Sequence, residues 1–149
     1  MIKTHNPDFE VTIQEKLQRQ SFMNYIGFEI TNIAEGAITG QLILQPHHRQ
    51  HKGFVHGGLT ATIADIVTGF AAVSLVPAGH HVVTVELKVS YLNPGVGDKI
   101  VARGWVLKQG QKLNFCEAEV YCIKDTDEPV LIAKASATMA TIDPEEVQK

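Results

Sequence analysis

Cysteine is scarce in this chain, so disulfide bonds are not the basis of its fold. Only Cys116 and Cys122 occur among 149 residues. If both lie in one extended strand, their six-residue separation amounts to about 20 Å, which is too far for them to bond to each other. We interpret them as free thiols and expect a reducing compartment.

An excess of positive charge is also missing. Lys and Arg total 13 against 16 Asp and Glu, which gives a net charge of −3 and a pI near 6.1. Neutralising nucleic-acid phosphates requires clustered cations, so we expect no nucleic-acid partner. Residues 1–8 contain no apolar run of the kind that a secretory signal needs, and we therefore expect a cytoplasmic protein.

The sequence has little that resembles a membrane span. One long apolar segment, Gly57–Val76, carries Asp65 near its middle and several Thr and Gly residues. A carboxylate is costly inside a bilayer, and this is the only such segment. We interpret it as a buried central helix that ends before Pro77-Ala78-Gly79, and we expect no membrane association.

The order of the remaining elements predicts a single α+β domain. Its core is expected at about residues 12–142, with loose tails at 1–8 and 143–149. The capping box Thr12-Ile13-Gln14-Glu15 opens a first helix that ends near Gly27. Turn residues and β-branched runs predict strands at 28–35, 37–45, 82–92, 99–108, 112–124 and 130–142, the last four as an antiparallel meander. Together these elements predict an antiparallel sheet wrapped around one long helix.

Periodicity assigns faces to one strand and to the central helix. Alternation over 82–92 predicts a core face made of Val83, Val85, Leu87, Val89 and Tyr91. On the helix, an apolar stripe that should pack into the sheet consists of Leu59, Ile63, Ile66, Phe70 and Val73. A second stripe has small residues around one carboxylate: Gly58, Ala61, Thr62, Asp65, Thr68, Gly69 and Ala72. Small side chains allow a second helix or the reactive group of a ligand to approach closely.

Two features of this helix indicate chemistry. Asp65 is either a structural or a functional carboxylate, and the cost of an unpaired buried carboxylate favours a function. His56-Gly57-Gly58 places two backbone N–H groups at the helix N-terminus, which is either an oxyanion hole in outline or a glycine-rich start that allows close packing. Gly57 and Asp65 are about 12 Å apart on one helix. If they act on one carbonyl group, two chains must supply them, as in a C2 dimer with antiparallel helices.

Three segments carry a resemblance to a known family: GFVHGGLTATIAD at 53–65, TVELKVSYLNP at 84–94 and VLKQGQKL at 106–113. Over about residues 12–142, the chain resembles the hotdog-fold acyl-CoA thioesterases of the PaaI-like, phenylacetate-degradation type. The resemblance implies hydrolysis of an aryl- or fatty-acyl-CoA without a metal, and without a cofactor other than the coenzyme A of the substrate. It also implies a homodimer with shared active sites that assembles into a homotetramer.

The same resemblance implies roles for individual residues. The Gly57 N–H would polarise the thioester carbonyl, and Asp65 of the partner subunit would activate water or act as a nucleophile. His56 would orient the site, Thr84 would hold the attacking water, and Gln50 stands where the family commonly has an Asn that assists the carbonyl. Coenzyme A would contact Thr84, Glu86, Tyr91, Lys108, Gln109, Gly110, Gln111, Lys112 and Leu113.

Several alternatives stay open at this stage. A metal could be held by His47, His48, His51 and His56, although these lack a recognised ligand spacing. Lys108 and Lys112 either bind phosphates or are solvated at a turn. A hydratase or dehydratase of the same fold would be expected to use an imidazole base, and no His follows Asp65 in the helix. A non-catalytic module that binds acyl-CoA or an acyl carrier would not need Asp65.

Overall fold

The fold is a six-stranded antiparallel sheet wrapped around one long helix. The computed structural model describes residues 1–147. The helices are α1 (Phe9–Leu17), α2 (Ser21–Ile26), α3 (Gly57–Val73) and α4 (Pro144–Val147). The strands are β1 (Phe28–Ala34), β2 (Ala37–Ile43), β3 (His81–Tyr91), β4 (Lys99–Gln109), β5 (Leu113–Ile123) and β6 (Val130–Ile142). The predicted α+β hotdog arrangement is confirmed, with α3 as the central helix.

The strand order differs from the predicted meander in one place. The strands follow the order β1-β2-β4-β5-β6-β3. The meander is right for β4, β5 and β6, but β3 pairs with β6 and not with β4, because β2 already occupies the other side of β4. β3 therefore lies at an edge of the sheet, where one row of its backbone groups has no partner within a single chain.

A β-bulge in β3 decides which of its side chains face α3. The register shifts directly after Thr84, so that Val85 has no residue opposite it. Thr84 and Tyr91 are an odd number of positions apart and would lie on opposite faces of a regular strand. Both nevertheless form hydrogen bonds with α3. The predicted core positions of Val83, Val85 and Tyr91 are wrong, since these side chains are 49%, 61% and 56% exposed.

The buried face of α3 is rotated from the predicted apolar stripe. Ile63 and Phe70 are buried, but the rest of that stripe is only half-buried: Leu59, Ile66 and Val73. The buried face instead includes the smaller residues Thr60, Ala64, Val67 and Ala71. The sheet approaches closely here, because a Cβ added at Gly104 of β4 would lie 2.6 Å from the Val67 carbonyl carbon. The helix ends at Val73, and no helix within residues 1–147 is long and apolar enough to cross a membrane.

The first predicted helix starts earlier and is divided in two. α1 begins at Phe9, so the predicted capping box lies inside the helix. The Thr12 hydroxyl accepts a hydrogen bond from the side-chain NH₂ group of Asn6 at 2.9 Å. The side-chain oxygen of Asn6 in turn accepts a hydrogen bond from the Asp8 N–H. After α2, Gly27 adopts a left-handed conformation with φ of 81°, which ends the helix where the sequence predicted.

The first residues of the chain are hydrogen-bonded, in contrast to the loose tail that the sequence predicted. The His5 N–H donates to the Leu75 carbonyl at 3.0 Å, and the Thr4 hydroxyl donates to the Ser74 carbonyl at 2.6 Å. These contacts attach the segment to the C-terminal end of α3. At the other terminus, the predicted tail forms α4, and residues 148–149 lie outside the described residues.

Candidate active site

The N-terminus of α3 has one available backbone donor, where the sequence predicted two. The Nδ1 atom of His56 accepts the Gly58 N–H at 2.9 Å and thereby caps the helix. A Cβ added at Gly58 would lie 3.1 Å from that nitrogen. This tight contact explains why a residue without a side chain occupies the position. Within residues 1–147, the Gly57 N–H donates to no other group. It is the donor that this helix end retains for a ligand.

Gln50 and Tyr91 border this donor in a cavity of 360 Å³, which we call the Gly57 cavity. The Tyr91 hydroxyl donates to the Gly57 carbonyl at 2.7 Å and ties the first turn of α3 to β3. The Gln50 Oε1 atom accepts the Lys52 backbone N–H, which leaves the amide NH₂ group as a donor. The remaining lining residues are Phe54, Val55, Leu92, Asn93, Pro94 and Gly95. Two hydrogen-bond donors therefore border the same space.

A buried histidine holds the loop that carries Gln50 and His56. The Nδ1 atom of His48 accepts the Gln45 N–H at 2.9 Å, and its Nε2–H donates to the Ile26 carbonyl at 2.7 Å. The side chain is 4% exposed, and burial lowers the pKa of His48, which favours the neutral ring. The His48 carbonyl in turn accepts the His56 N–H. Both ring nitrogens are engaged, and within residues 1–147 no three His, Cys, Asp or Glu side chains are grouped as metal ligands.

Asp65 and Thr84 meet in a second cavity, which has a volume of 460 Å³ and which we call the Asp65 cavity. The Thr84 hydroxyl donates to Oδ1 of Asp65 at 2.7 Å. Among the described residues no group donates to Oδ2, so one carboxylate oxygen is held and the other is available. Asp65 itself is half-buried. The other lining residues are Lys16, Arg19, Gln20, Ile66, Gly69, Phe70, Val73, His81, Val82 and Met139.

The two cavities lie at different positions along α3 and share no lining residue. Gly57 is the first residue of the helix and Asp65 the ninth, so eight residues separate them, or about 12 Å. This is several times the length of a hydrogen bond. A single chain therefore presents the donors and the carboxylate to two separate spaces.

Comparison with known proteins identifies the family. Residues 52–128 match the model of the thioesterase superfamily, which is about half of the chain. This chain belongs to that superfamily. The crystal structure of a thioesterase family protein from Silicibacter pomeroyi superposes on this chain with a TM-score of 0.87. The two sequences are 30% identical, and the match covers 90% of this chain and 98% of that one. The chain is thus a thioester hydrolase with the hotdog fold, as the sequence predicted.

Two further relatives are named for their activity or their operon. Human acyl-coenzyme A thioesterase 13 is 28% identical over 110 residues, which cover 72% of this chain and 78% of that protein. The PaaI protein of Escherichia coli, from the phenylacetic acid degradation operon, has a TM-score of 0.80 at 18% identity, covering 94% of this chain and 97% of that chain. At that identity, the PaaI structure shows a shared fold.

The turn predicted to bind coenzyme A lies far from Gly57 in one chain of this thioesterase. Gln109, Gly110 and Gln111 border a small cavity with Leu75 and Val76, just beyond the C-terminal end of α3. The 17 residues of α3 amount to about 25 Å, so this turn and Gly57 lie at opposite ends of the helix.

The side chains predicted to contact coenzyme A differ in how far the fold already engages them. The Gln109 side chain accepts from the Lys3 N–H and donates to the Lys3 carbonyl. Glu86 of β3 is exposed, as are Lys108 and Lys112 beside the turn. Thr84 and Tyr91 instead hydrogen-bond to α3. One chain therefore does not collect the predicted contacts into a single binding site.

Three cavity residues were missed by the sequence analysis: Lys16, Arg19 and His81. Lys16 lies in the last turn of α1, and Arg19 lies two residues after the helix ends, where its N–H donates to the Lys16 carbonyl. A three-residue spacing across such a helical turn places both side chains on the same side. That spacing is a readable signal, but it does not tell which element the face meets. The packing of α1 beside α3 supplies that information, and no local pattern in the sequence encodes it.

The two cysteines are free and buried, and neither lines the Gly57 cavity or the Asp65 cavity. Burial raises the pKa of Cys116 to about 12, and burial also raises the pKa of Cys122. The thiolate is the nucleophilic form of cysteine, and it is disfavoured at both positions near neutral pH. The chemistry of this thioesterase therefore depends on other groups.

Proposed function

We propose that this thioesterase hydrolyses acyl-CoA thioesters to the free acid and coenzyme A in sites shared by two copies of the chain. The observation that carries the proposal is the separation of donors and carboxylate along α3. The Gly57 N–H and the Gln50 amide can stabilise negative charge on a carbonyl oxygen. Asp65, positioned by Thr84, can act on the carbonyl carbon from the other side if a second chain supplies it.

The surface of α3 supports an antiparallel pairing of two chains. The side of the helix that the sheet leaves uncovered is lined by small residues, including Gly58, Ala61 and Gly69, and a Cβ added at Gly69 would meet nothing within 4 Å. An antiparallel partner would bring its Asp65 toward the Gly57 end of the first helix, giving two equivalent sites. The unpaired edge of β3, with the exposed side chains Val83 and Val85, lies beside this face and could extend the interface.

In the proposed mechanism, Asp65 of one chain binds a water molecule through its available oxygen Oδ2. The carboxylate takes a proton from that water as the oxygen attacks the thioester carbonyl, and the developing oxyanion accepts from the Gly57 N–H and the Gln50 NH₂ of the other chain. The C–S bond then breaks, and the proton passes to the departing thiolate. Direct attack by Asp65 to give an anhydride that water hydrolyses needs the same placement.

An antiparallel dimer would also bring the turn that is predicted to bind coenzyme A closer to the Gly57 cavity of the partner chain. With Asp65 of one chain opposite Gly57 of the other, the C-terminal end of one α3 would lie about 12 Å beyond the N-terminal end of the other, about half of the distance within one chain. Lys108 and Lys112 of one chain would approach the Gly57 cavity of its partner, where the phosphates of coenzyme A could bind them. Because such contacts are largely exposed, we expect binding of acyl-CoA to weaken as the salt concentration rises.

The reaction is tested by following free thiol release from a panel of acyl-CoAs, from short aliphatic through phenylacetyl to long-chain. Asp65→Asn should lose about three orders of magnitude in kcat, the scale of an acid–base group, while still binding acyl-CoA. Asp127→Asn, which removes an exposed carboxylate from the β5–β6 turn, is the matched control. Full activity in Asp65→Asn would contradict the mechanism, and binding without turnover by the wild type would indicate a carrier.

Sharing of the site is tested by mixing two inactive variants. Gly57→Pro removes the N–H donor and Asp65→Asn removes the base. In a mixed dimer, one site receives Gly57 from the Asp65→Asn chain and Asp65 from the Gly57→Pro chain, so both groups of that site are intact. Co-expression should therefore restore about one quarter of the wild-type activity, because half of the dimers are mixed and each has one intact site. No recovery in verified mixed dimers would show that each chain works alone.

A further inference from the structure

We propose that the Asp65 cavity is built for acyl groups that carry an anionic group, such as a carboxylate, at the end remote from the thioester. This inference rests on the proposed function and adds the class of acyl group to it. It comes from unpaired cations at the end of the cavity that lies farthest from Asp65.

The cavity extends along α3 from Asp65 toward the C-terminal end of the helix. Asp65, Gly69 and Val73 line it in succession, and the eight residues from the first to the last correspond to about 12 Å. Thr84 lies beside Asp65 on β3, whereas His81, three residues earlier on the same strand, lies toward the far end. The reacting group and the distal end of an acyl chain are therefore separated by the length of two helical turns.

Lys16 and Arg19 mark the distal end of the cavity. Both also line a neighbouring cavity with His81 and Gly79, which belongs to the loop that follows α3. The position of that loop locates the two cations near the C-terminal end of α3 and away from Asp65. His81 adds a third side chain that can hydrogen-bond an anionic oxygen.

Neither of these cations has a carboxylate partner among the described residues. Within residues 1–147, no carboxylate lies within ion-pair distance of Lys16 or Arg19. Glu15 borders the neighbouring cavity but forms no such pair. The charges along the cavity are therefore ordered, with a carboxylate at the reacting end and two cations at the other. An anion is repelled near Asp65 and attracted near Lys16 and Arg19.

The middle of the cavity suits a hydrocarbon linker. Its walls there are the apolar side chains of Ile66, Phe70, Val73 and Met139. An extended chain advances about 1.2 Å per bond, so a span of about 12 Å corresponds to roughly ten bonds. Counted from the thioester carbonyl carbon to a terminal carboxylate oxygen, monothioesters of dicarboxylic acids with eight to ten carbons span eight to ten bonds, or about 10 to 12 Å. Succinyl-CoA would leave its carboxylate among apolar side chains and near Asp65.

The test compares substrates that differ only in the terminal group. The kcat/KM values are measured for suberyl-CoA and octanoyl-CoA, which have eight carbons, and for succinyl-CoA and butyryl-CoA, which have four. We expect the wild type to prefer the dicarboxylic substrate at eight carbons by about tenfold and to prefer the monocarboxylic one at four. A preference that is absent at eight carbons, or equal at both lengths, would overturn the inference.

The cations are tested with the double variant Lys16→Met and Arg19→Met, which keeps an unbranched apolar side chain at each position and removes both charges. The ratio of suberyl-CoA to octanoyl-CoA activity should fall by about tenfold, since an exposed ion pair contributes up to about fivefold. Lys124→Met, at an exposed lysine that lines neither cavity, is the matched control and should keep the ratio. An equal loss on both substrates would overturn the inference, because it would indicate contacts to the shared coenzyme A.

The outcome for the acyl class is separable from the outcome for the reaction. If the wild type hydrolyses octanoyl-CoA without preferring suberyl-CoA, only the inference about the distal anion fails. If no acyl-CoA is hydrolysed, the proposed function fails, and calorimetric binding of the same two thioesters then decides the inference. Tighter binding of suberyl-CoA that depends on Lys16 and Arg19 would support it, and equal binding would overturn it.

Discussion

The Gly57 cavity and the Asp65 cavity are built in different ways. The first is formed by two short segments, residues 50–57 and 91–95, which are held in place by hydrogen bonds within and between them. The second collects side chains from α1, α3, β3 and β6, from Lys16 to Met139. Its carboxylate has one hydrogen bond, from Thr84, and a half-exposed setting.

This difference suggests that the two cavities have different roles in the reaction. Fixed donors suit a group that must be in place before charge develops, because reorganising dipoles during the reaction would cost free energy. The walls of the Asp65 cavity come from several elements, and exchanging one of them would change the acyl group without disturbing the donors. We therefore expect substitutions at the Gly57 cavity to affect kcat, and substitutions at the distal Asp65 cavity to affect the choice of substrate.

The largest effect on kcat is expected from removing the backbone donor of the Gly57 cavity while leaving the helix intact. Gly57→Pro does this, because proline is favoured at the first position of a helix and lacks the N–H. His56, with φ of −65° and ψ of 132°, has a backbone conformation that is allowed before proline. We expect kcat to fall by about 10² to 10³, with cooperative thermal unfolding retained.

Gly57→Ala is the matched control for that substitution. It keeps the N–H and introduces the same Cβ, which would meet the Tyr91 ring at 3.4 Å in either variant. We expect Gly57→Ala to retain most of the activity. Equal losses in the two variants would show that the space beside Tyr91 matters and that the donor does not.

A smaller loss of kcat is expected from removing the hydrogen bond that positions the Asp65 carboxylate in the other cavity. Thr84→Val preserves the shape of the side chain and removes the hydroxyl that donates to Oδ1 of Asp65. The loss of one hydrogen bond to a charged group should lower kcat by about tenfold with a smaller change in KM. Thr31→Val, at a remote threonine of β1, is the control. Unchanged kcat in Thr84→Val would mean that Asp65 is positioned by other groups.

Most of the fold could be predicted because its signals are local. Gly27, Gly36 and the Asn93-Pro94-Gly95 turn interrupt the chain where its elements end, and the polarity of the segments between them follows helix or strand periods. The bulge after Thr84 could not be predicted, since it depends on the pairing of β3 with β6. The burial of α3 was misjudged for a related reason. The helix is apolar on most sides, and the close approach of Gly104 selects the side with small residues.

The candidate site likewise contains residues that the sequence predicts and residues that it does not. His56, Gly57 and Gln50 belong to one loop and one helix start, and the structure brings all three together as the motif suggests. The sequence predicts a free N–H at Gly58, because the capping by His56 Nδ1 depends on a rotamer that the sequence does not specify. Lys16 and Arg19 reach Asp65's cavity only through the packing of α1, which no spacing in the sequence encodes.

The smallest expected effect concerns the stability of the loop behind the Gly57 cavity. Burial lowers the pKa of His48, so the unfolded chain, whose histidine titrates near pH 6.5, binds a proton at a higher pH than the native protein does. The contribution of the neutral buried ring is therefore complete above about pH 6.5 and is lost as the pH falls toward the native pKa, by at most about 1.4 kcal/mol per pH unit.

Thermal unfolding between pH 5 and 8 measures this contribution. The Tm of the wild type should fall on acidification, and His48→Gln, which retains a donor for the Ile26 carbonyl but cannot titrate, should show a shallower decline. His47→Gln, at the exposed neighbour, is the matched control. If the His48 and His47 variants show the same slope as the wild type, the loop does not limit stability in acid. A shallower slope in His48→Gln alone would assign that limit to the Gly57 side of the molecule, because the described contacts of His48 lie there and not in the Asp65 cavity.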